Sequence, residues 1–221
     1  MVPRPRIHHE RGANRVPTAL LGGLAAVNTV MPTFTNLALH TKRLHLRPLC
    51  VADAPFVFAL FTDAPFMRFG TTPPFSAMEQ AQALIARDIQ AMAGGERLRL
   101  GVERVDDASL IGICTLFNFD HPCRSAEIGY GLVSHAWGNG YMREALTALL
   151  GFGFSELKLN RVEADIDPRN TDSAKSLERI GFTKEGHLRE SCVVNGMLTD
   201  SARYGLLHRE WQLRSVALAP I

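Results

Sequence analysis

The sequence predicts one α/β domain in which helices cover a mixed β-sheet, and three observations lead to this prediction. The chain has 221 residues, 46% of them hydrophobic, so it can bury one sizeable core. Short runs that alternate apolar and polar residues are separated by longer runs with helical spacing. One strand-like run passes through a glycine turn directly into a helical run. Together these patterns indicate a sheet with helices on its faces.

The elements of the first half follow from alternation, capping and proline content. Residues 44–49 alternate apolar and polar side chains and predict a strand, and residues 53–61 predict an apolar-rich helix. Residues 63–74 contain three prolines and a glycine, which predicts a loop. Ser76 is the expected N-cap of the next helix, because Glu79 completes a capping box. A Gly-Gly pair ends that helix after residue 93.

The second half continues the alternation of strands and helices. Its last two strands are joined by Asn195-Gly196, the strongest short hairpin signal. The expected elements are strands at 97–104, 110–117 and 126–133, a helix at 141–156, a strand at 161–166, a helix at 171–180 and the two final strands.

Composition and charge exclude several classes of protein. Charged residues make up 21% of the chain, a share typical of a soluble globular protein rather than of a disordered or membrane protein. Four arginines and one acid lie in residues 1–35, so the rest of the chain is close to neutral although the net charge is +2. We therefore expect neither a nucleic-acid partner nor a membrane partner.

The cysteines and histidines predict neither disulfides nor a metal site. The four cysteines contain no CxxC pair and match no zinc spacing, and the eight histidines form no ligand cluster. We therefore expect free thiols, a cytoplasmic location and no metal.

Residues 1–35 are expected to form a tail outside the folded domain. A basic start precedes a mildly apolar stretch at residues 16–30, which resembles a weak secretory signal. That stretch contains a proline and two glycines and is too short to span a bilayer. We predict a disordered tail or a natural start at Met31, a domain over residues 36–214 and a second tail over residues 215–221.

The most informative segment is the turn at residues 137–141, Trp-Gly-Asn-Gly-Tyr, between a strand and a helix. Gly138 and Gly140 remove the Cβ atoms that would keep an anion from the backbone. The first N–H groups of a helix lack partners within it, and the helix dipole adds positive potential. Such a turn suits a phosphate or diphosphate, although the glycines could serve only a tight turn. A Walker loop would require Gly-Lys-Ser/Thr, and a Rossmann fingerprint would require a glycine at Ser134; neither is present.

This turn, preceded by Glu127-Ile128-Gly129-Tyr130, resembles the acetyl-CoA motif of the GNAT superfamily of N-acetyltransferases. The resemblance is greatest to the branch of ribosomal-protein-alanine N-acetyltransferases and extends from Thr41 to Trp211. Its other parts are Arg43–Leu49, Asn170–Ser173, Glu178–Phe182, Asn195-Gly196, Asp200, Tyr204 and Glu210-Trp211. Each part is short, but their order and spacing are together specific.

The resemblance implies a fold, a co-substrate and its contacts. The fold is a mixed, mostly antiparallel sheet of six to seven strands, with a splayed central strand pair and helices on both faces. The co-substrate is acetyl-CoA, and no metal is involved. Backbone groups of Leu132 and Val133 would hold the pantetheine arm. The other implied cofactor contacts are His135, Gly138, Asn139, Gly140, Tyr141, Met142, Asn170, Ser173 and Ser176.

Three positions qualify these implications. His135 stands where the family motif usually has Arg or Gln, which weakens one expected phosphate contact. Leu177 occupies the position of a tyrosine that many relatives carry, so the leaving thiolate must receive its proton from Ser173, water or solvent. Asn170 could cap the helix that follows it as well as touch the cofactor.

Glu127 is the candidate general base, and Ser173 is the candidate acid. Glu127 lies on the strand that leads to the glycine turn, and burial can raise the pKa of a carboxylate into a useful range. It could act directly or through water, and a substrate-orienting or structural role is the open alternative. Backbone N–H groups of the splayed strand would stabilise the thioester oxygen.

Three functions are consistent with these residues. The leading one is acetylation of a protein or peptide N-terminal amine by direct attack. The others are acetylation of a small amine (an amino acid, a polyamine or an aminoglycoside) and non-catalytic binding of acyl-CoA. Residues 63–76 and the hairpin at Asn195 are expected to select the acceptor. Residues 63–76 contain one acid, Asp63, and one base, Arg68, so they do not form the acidic pocket that a polycation would favour. The expected assembly is a monomer or a homodimer.

Overall fold

The computed structural model describes residues 33–194 and 196–217, which form eight strands and six α-helices. The strands are β1 (Leu39–His40), β2 (Leu44–Pro48), β3 (Arg97–Arg104), β4 (Leu110–Asp120), β5 (Ser125–Leu132), β6 (Arg161–Ile166), β7 (Thr183–Val194) and β8 (Met197–Leu207). The helices are α1 (Ala54–Thr62), α2 (Ala64–Met67), α3 (Met78–Ala93), α4 (Tyr141–Ser155), α5 (Thr171–Ile180) and α6 (His208–Ala217). None of these helices is both long enough and apolar enough to cross a bilayer. Most of the predicted N-terminal tail, Asn195 of the predicted hairpin turn and residues 218–221 lie outside the described residues.

The strands form one sheet in the order β1-β2-β3-β4-β5-β6-β8-β7. Neighbouring strands are antiparallel except for β5 and β6, which are parallel. This confirms the predicted mixed, mostly antiparallel sheet. The additional strand is β1, in which Leu39 pairs with Leu46 and His40 with His45. A strand of two residues is too short to show an alternating pattern.

The central strands β5 and β6 separate soon after they meet. Their paired residues run from Ser125 and Arg161 to Glu127 and Glu163. Beyond that point β5 continues along β4 as far as Leu132, while β6 continues along β8. The two strands therefore diverge towards their carboxyl ends and leave a cleft between them. This is the predicted splayed pair.

Helices cover both faces of the sheet, as predicted. On one face, Leu146 of α4 and Leu177 of α5 pack in a core with Cys114 of β4. On the other, Leu60 of α1 packs with α2, α3 and Ile113 of β4. Ile113 and Cys114 are consecutive strand residues, so their side chains point to opposite faces.

The connection from α1 to α3 differs from the prediction in two respects. Residues 64–67 form the single turn α2 inside the segment predicted as a loop, because a proline fits the first turn of a helix. The helix α3 begins at Met78, one residue later than a Ser76 N-cap would place it. The N-cap is Ala77 instead of Ser76, and its backbone N–H donates to Oε1 of Gln80 at 3.1 Å, so Gln80 rather than Glu79 accepts from the N-cap.

The described structure extends beyond the predicted domain limits at both ends. Phe34 is 2% exposed, and its N–H donates to the carbonyl of Met92 at 3.0 Å, so the core begins before residue 36. At the other end, α6 continues past residue 214 to Ala217. The division of the whole chain into tails and a domain remains a prediction.

Candidate active site

The turn between β5 and α4 is open and left-handed at both glycines. After β5, a 3-10 turn spans Ser134–Ala136, and residues 137–142, here called the glycine corner, lead into α4. Gly138 and Gly140 have φ of +78° and +75°, a region in which other residues are strained. Among the described residues no atom lies within 4 Å of where a Cβ on Gly138 would be. The glycines therefore allow both the turn and a close approach to its backbone.

The glycine corner presents backbone donors at the start of α4. The N–H of Glu144 donates to the carbonyl of Gly140 at 3.1 Å, which is the first hydrogen bond of the helix. The N–H groups of Tyr141, Met142 and Arg143 precede that bond and have no carbonyl one turn earlier in the helix. They lie at the positive end of the helix dipole. This arrangement fits the diphosphate of CoA, as the family resemblance implies.

An arginine and a glutamate that the sequence analysis gave no role hold the glycine corner. Arg43 precedes β2 and donates from Nη1 to the carbonyl of Asn139 at 3.0 Å and from Nε to the carboxylate of Glu144 at 2.7 Å. Glu144 also accepts from the N–H of Arg43 at 2.9 Å and from the hydroxyl of Thr41 at 2.6 Å. Burial raises the pKa of Glu144, but these hydrogen bonds outweigh it and keep that pKa below its ordinary value. Arg43 and Glu144 are 101 positions apart, so no local pattern reveals the pair.

Two side chains of the corner are used to stabilise it. Trp137 donates from Nε1 to the carbonyl of Leu132 at 2.9 Å, and Asn139 donates from Nδ2 to the carbonyl of Trp137 at 3.0 Å. His135 lies just before them in the 3-10 turn and is exposed. The side chain of Asn139 thus closes the turn, and any contact that Asn139 makes with a cofactor would come from its backbone.

The backbone of β5 faces the cleft through alternate residues. The N–H of Val133 donates to the carbonyl of Ile111 at 2.9 Å, on the β4 side. Because backbone groups of successive strand residues point to opposite sides, the N–H groups of Leu132 and Tyr130 point towards the cleft. The structure therefore places Leu132 of the predicted pair on the cleft, while the amide of Val133 belongs to the sheet. Tyr130 is a backbone donor that the sequence analysis did not assign.

Polar side chains at the start of α5 hydrogen-bond with the backbone of the same helix. The N–H of Ser173 donates to Oδ1 of Asn170 at 3.1 Å, so Asn170 is the N-cap of α5. Ser176 is exposed, and its hydroxyl donates to the carbonyl of Asp172 within the helix at 2.8 Å. These contacts fit the capping alternative for Asn170, and cofactor contacts by Asn170 and Ser176 remain predictions.

A pair of buried hydroxyls lies near the cleft. Oη of Tyr130 on β5 lies 2.9 Å from Oγ of Ser173 on α5, and it also donates to the carbonyl of Ser173 at 3.3 Å. Burial raises the pKa of Tyr130 well above its ordinary value. Leu177, at the position where many relatives have tyrosine, is fully buried in the core. The structure thus brings a tyrosine from β5 next to the candidate acid.

Glu127 lies where β5 and β6 begin to separate. It is 3% exposed and is in register with Glu163 of β6. Nδ2 of Asn118 donates to Oε1 of Glu127 at 3.2 Å, and Asn118 adopts a φ of +51° within a bulge of β4. The neighbouring Glu163 accepts a hydrogen bond from Arg161 at 2.8 Å. Glu127 is therefore a buried carboxylate at the base of the cleft, the position in which a general base for an amine is expected.

A shallow depression lies between the β6–α5 turn and β8. Its carboxylates carry partners: Asp167 pairs with Arg169 at 2.7 Å, and Asp200 pairs with His187 at 2.7 Å. The hydrogen bonds of Asp200, from the N–H of Glu190 and from His187, keep its pKa below the ordinary value. The residues that line the depression are Asp167, Pro168, Arg169, Leu198, Thr199 and Asp200.

Comparisons with known proteins agree with this geometry. Residues 43–183 match the acetyltransferase (GNAT) domain family. The chain is 35% identical to the uncharacterized N-acetyltransferase p20 of Bacillus licheniformis over 175 residues, 78% of this chain and 97% of that protein. It is 42% identical over 106 residues to the putative ribosomal N-acetyltransferase YdaF of Bacillus subtilis, 48% of this chain and 58% of that protein. The fold matches the spermidine N-acetyltransferase of Vibrio cholerae in complex with CoA and spermine, with a TM-score of 0.69, 24% identity, and coverage of 78% of this chain and 99% of that one.

These matches confirm the predicted fold and enzyme class. The domain match covers more than half of the chain and includes β2, the glycine corner and α5. The identity to p20 extends over nearly the whole of that protein. The chain therefore belongs to the GNAT family and is an acyl-CoA-dependent N-acetyltransferase.

Proposed function

We propose that this enzyme transfers the acetyl group of acetyl-CoA to the N-terminal amine of a protein or peptide by direct attack. The observation that carries the proposal is the open glycine corner at the end of β5, beside the cleft between β5 and β6. A diphosphate at the corner and a reacting amine at Glu127 would lie at opposite ends of the same strand. Family membership supports acetyl-CoA as the co-substrate, because relatives have been captured with CoA.

The cofactor would be held mainly by backbone groups. When bound, acetyl-CoA supplies an acetyl thioester. The N–H groups of Tyr141 and Met142 would hold its diphosphate. The cleft-facing N–H groups of Leu132 and Tyr130 would bind the pantetheine arm and the thioester oxygen. Backbone donors of a strand are held by the sheet, so they need little reorganisation as negative charge develops on that oxygen.

Glu127 would accept the proton of the attacking amine. An ammonium ion has no lone pair, so it must lose a proton before it attacks. The carboxylate of Glu127 lies at the base of the cleft and is oriented by Asn118. A base must lie within hydrogen-bond reach of the amine or act through one water.

Ser173 would donate a proton or hydrogen bond to the leaving thiolate. It is buried at the start of α5, where the dipole of that helix also favours negative charge. Tyr130 contacts the Ser173 hydroxyl and is held in its protonated form by burial. The pair would take the place of the tyrosine that Leu177 replaces.

A peptide acceptor is favoured over a polyamine by the charges around the cleft. Asp167 and Asp200 each pair with a neighbouring cationic or imidazole side chain, which reduces the attraction for a polycation. Near α1 the half-buried ring of Phe75 stacks on the buried ring of Phe61 with centroids 4.6 Å apart, and the exposed part of Phe75 would offer a peptide an apolar contact. The putative ribosomal relative is consistent with this choice.

A small polyamine is the second candidate, because two acidic side chains do line the depression beside the cleft. The related fold that binds spermine keeps this alternative in view. In both cases the acceptor is a primary amine and the roles of Glu127 and Ser173 are the same.

A cytoplasmic location is part of the proposal. Cys50 and Cys123 are exposed free thiols, and Cys114 and Cys192 are buried free thiols. Exposed free thiols are typical of a reducing compartment.

The test is thiol release from acetyl-CoA in the presence of an acceptor panel. The panel contains peptides with free N-termini, the same peptides with blocked N-termini, amino acids, spermidine, spermine and an aminoglycoside. We expect turnover with free N-termini and none with the blocked peptides. Higher kcat/KM for spermidine or spermine than for every peptide would instead establish the small-amine alternative. Tight CoA binding without turnover of any amine would contradict both.

A further inference from the structure

We propose that Arg43 is a positioning residue for cofactor binding, which orients the backbone N–H of Gly140 towards the diphosphate. The inference rests on the proposed function, in which CoA binds at the glycine corner. Arg43 itself lies outside the corner in sequence, before β2; it hydrogen-bonds Asn139 of the corner and Glu144 of α4.

The peptide unit between Asn139 and Gly140 needs such a restraint. A peptide unit is planar, and its carbonyl and N–H point in opposite directions. Rotation of the unit as a whole would turn the N–H of Gly140 away from the ligand. Glycine flanks Asn139 on both sides, at 138 and 140, and glycine has the widest range of backbone conformations. Without an external contact, rotation at this point would meet little steric resistance.

Arg43 supplies the external contact. Its Nη1 donates to the carbonyl of Asn139 at 3.0 Å, which fixes the side of the chain on which that carbonyl lies. The N–H of Gly140 must then point to the opposite side of the peptide plane. Nε of the same guanidinium binds Glu144 at 2.7 Å, so the carbonyl is tied to the first turn of α4. The guanidinium is rigid, and therefore both ends of this link are fixed together.

Surrounding contacts hold Arg43 in this geometry. Glu144 accepts further hydrogen bonds from the Thr41 hydroxyl and from the Arg43 backbone. The guanidinium lies over the ring of Tyr141, 4.6 Å from its centroid. All of these contacts lie within the chain, so the link requires no contact from the cofactor.

The bond from Arg43 to the carbonyl of Asn139 is important because this chain lacks the Arg or Gln side chain with which the family motif usually contacts the phosphate. His135 stands where the family motif has Arg or Gln, so the backbone donors of the corner carry more of the phosphate binding. Loss of Arg43, which orients the N–H of Gly140, should therefore weaken CoA binding more in this chain than in a relative whose Arg or Gln side chain also binds the phosphate.

The experiment measures binding of CoA and of 3′-dephospho-CoA by calorimetry for the wild type and three variants. Arg43→Met removes the link, and Arg43→Lys keeps the charge but cannot bind Glu144 and the Asn139 carbonyl as a fork does. Arg104→Met is the matched control, since Arg104 also lies over the ring of Tyr141 but hydrogen-bonds Asp106 instead of the glycine corner. We expect both Arg43 variants to bind both ligands roughly tenfold more weakly, by the same factor, and the control to stay within about threefold of the wild type.

A second measurement separates positioning from general damage. Acetyl-pantetheine has no diphosphate, so its kcat/KM should be unchanged in the Arg43 variants. An equal loss with acetyl-pantetheine would overturn the inference, as would unchanged CoA affinity in both variants. Weakened binding of CoA but not of 3′-dephospho-CoA would also overturn it, because Arg43 would then contact the 3′-phosphate directly. If Arg43→Met does not fold, Arg43→Lys carries the test. Failure of the wild type to bind CoA would instead remove the proposed cofactor site itself.

Discussion

The hydroxyl oxygens of Tyr130 and Ser173 lie 2.9 Å apart and join β5 to α5 beside the cleft between β5 and β6. Tyr130 also donates to the carbonyl of Ser173 at 3.3 Å, and burial keeps its pKa high, so it remains a donor at neutral pH. In the proposed reaction Ser173 would donate from its hydroxyl to the leaving thiolate, while Tyr130 stays in contact with that hydroxyl.

Ser173→Ala removes this donor. We expect kcat to fall by about 10²-fold, the lower end of the effect of a general acid, while CoA affinity changes little. Steady-state kinetics with saturating acetyl-CoA and calorimetry with CoA measure the two quantities. A variant with wild-type kcat would exclude Ser173 as the acid and leave solvent in that role.

Tyr130→Phe keeps Ser173 but removes its neighbour's hydroxyl. We expect a smaller loss of kcat than in Ser173→Ala, together with a loss of stability of about 1 kcal/mol, because one buried hydrogen bond is lost. In the double variant Tyr130→Phe/Ser173→Ala the two losses of kcat should not add, since both act through the same hydroxyl. Fully additive losses would show that the residues act separately.

Glu127→Gln removes the candidate base and retains the hydrogen bond from Asn118 through the amide oxygen. We expect kcat/KM for the amine to fall by about 10²–10⁴-fold, with unchanged CoA affinity. The loss should shrink at high pH, where more of the amine is already deprotonated.

Glu163→Gln is the matched control for Glu127→Gln. Glu163 is the parallel neighbour of Glu127 on β6 and binds Arg161. Its replacement should leave the pH profile of kcat/KM unchanged in shape. If Glu127→Gln turns over normally from pH 6 to pH 10, Glu127 is not the base.

Gly140→Val is expected to weaken CoA binding and also to lower stability. The φ of +75° at this position strains a β-branched residue by about 1–3 kcal/mol. This differs from an expectation based on sequence alone, in which the added side chain would only block the phosphate. Gly151→Ala is the control on the same helix. Outside the helix backbone, none of the described residues has an atom within 4 Å of the new Cβ, so this variant should raise stability by about 1 kcal/mol. Unchanged CoA affinity in Gly140→Val would place the diphosphate elsewhere.

The link between β2 and α1 should be lost in acid. Asp53 accepts hydrogen bonds from Nη1 and Nη2 of Arg47 at 2.8 and 3.0 Å and from the N–H of Cys50 at 2.8 Å. Burial raises the pKa of Asp53, but these bonds outweigh it and lower that pKa below its ordinary value. A lowered pKa in the folded state stabilises the protein above the unfolded pKa of about 4, and this contribution disappears as pH falls through the folded pKa.

Asp53→Asn should therefore lower the free energy of unfolding by about 1–3 kcal/mol at pH 7, and the difference from wild type should shrink below about pH 4. Urea unfolding at pH 7 and pH 3 measures both values. Asp106→Asn is the control, because its partner Arg104 forms an exposed pair that contributes little. An equal effect of Asp53→Asn at the two pH values would show that the carboxylate charge is not responsible.

Local patterns were sufficient for much of the fold and for one part of the site. Strand patterns and the Asn195-Gly196 hairpin signal predicted all the strands except β1, and the spacing of Gly138 and Gly140 predicted an open corner before a helix. Asn170 was considered both as a cofactor contact and as the cap of α5, and it does cap α5. These features depend on neighbours within a few positions, where steric and hydrogen-bond preferences act directly.

Other features could not be predicted because they join distant positions. Arg43 reaches Glu144 across 101 positions, and Tyr130 reaches Ser173 across 43. The alternation of backbone groups in β5, which directs Leu132 to the cleft and the amide of Val133 to β4, depends on the register with β4. A one-residue change in that register would exchange the two, and nothing local to residues 132 and 133 specifies it.

The amino-acid order alone specified an α/β fold with an open glycine turn before a helix, since helical and strand periodicity, glycine conformations and capping are short-range properties. The acetyltransferase class followed from the resemblance of its motifs to the GNAT superfamily. Only the folded chain decided which carboxylate is buried at the cleft, which hydroxyls meet, and which arginine holds the turn. Those outcomes depend on strand register and on the packing of α4 and α5 against the sheet, where a displacement of a few ångströms makes or breaks a hydrogen bond.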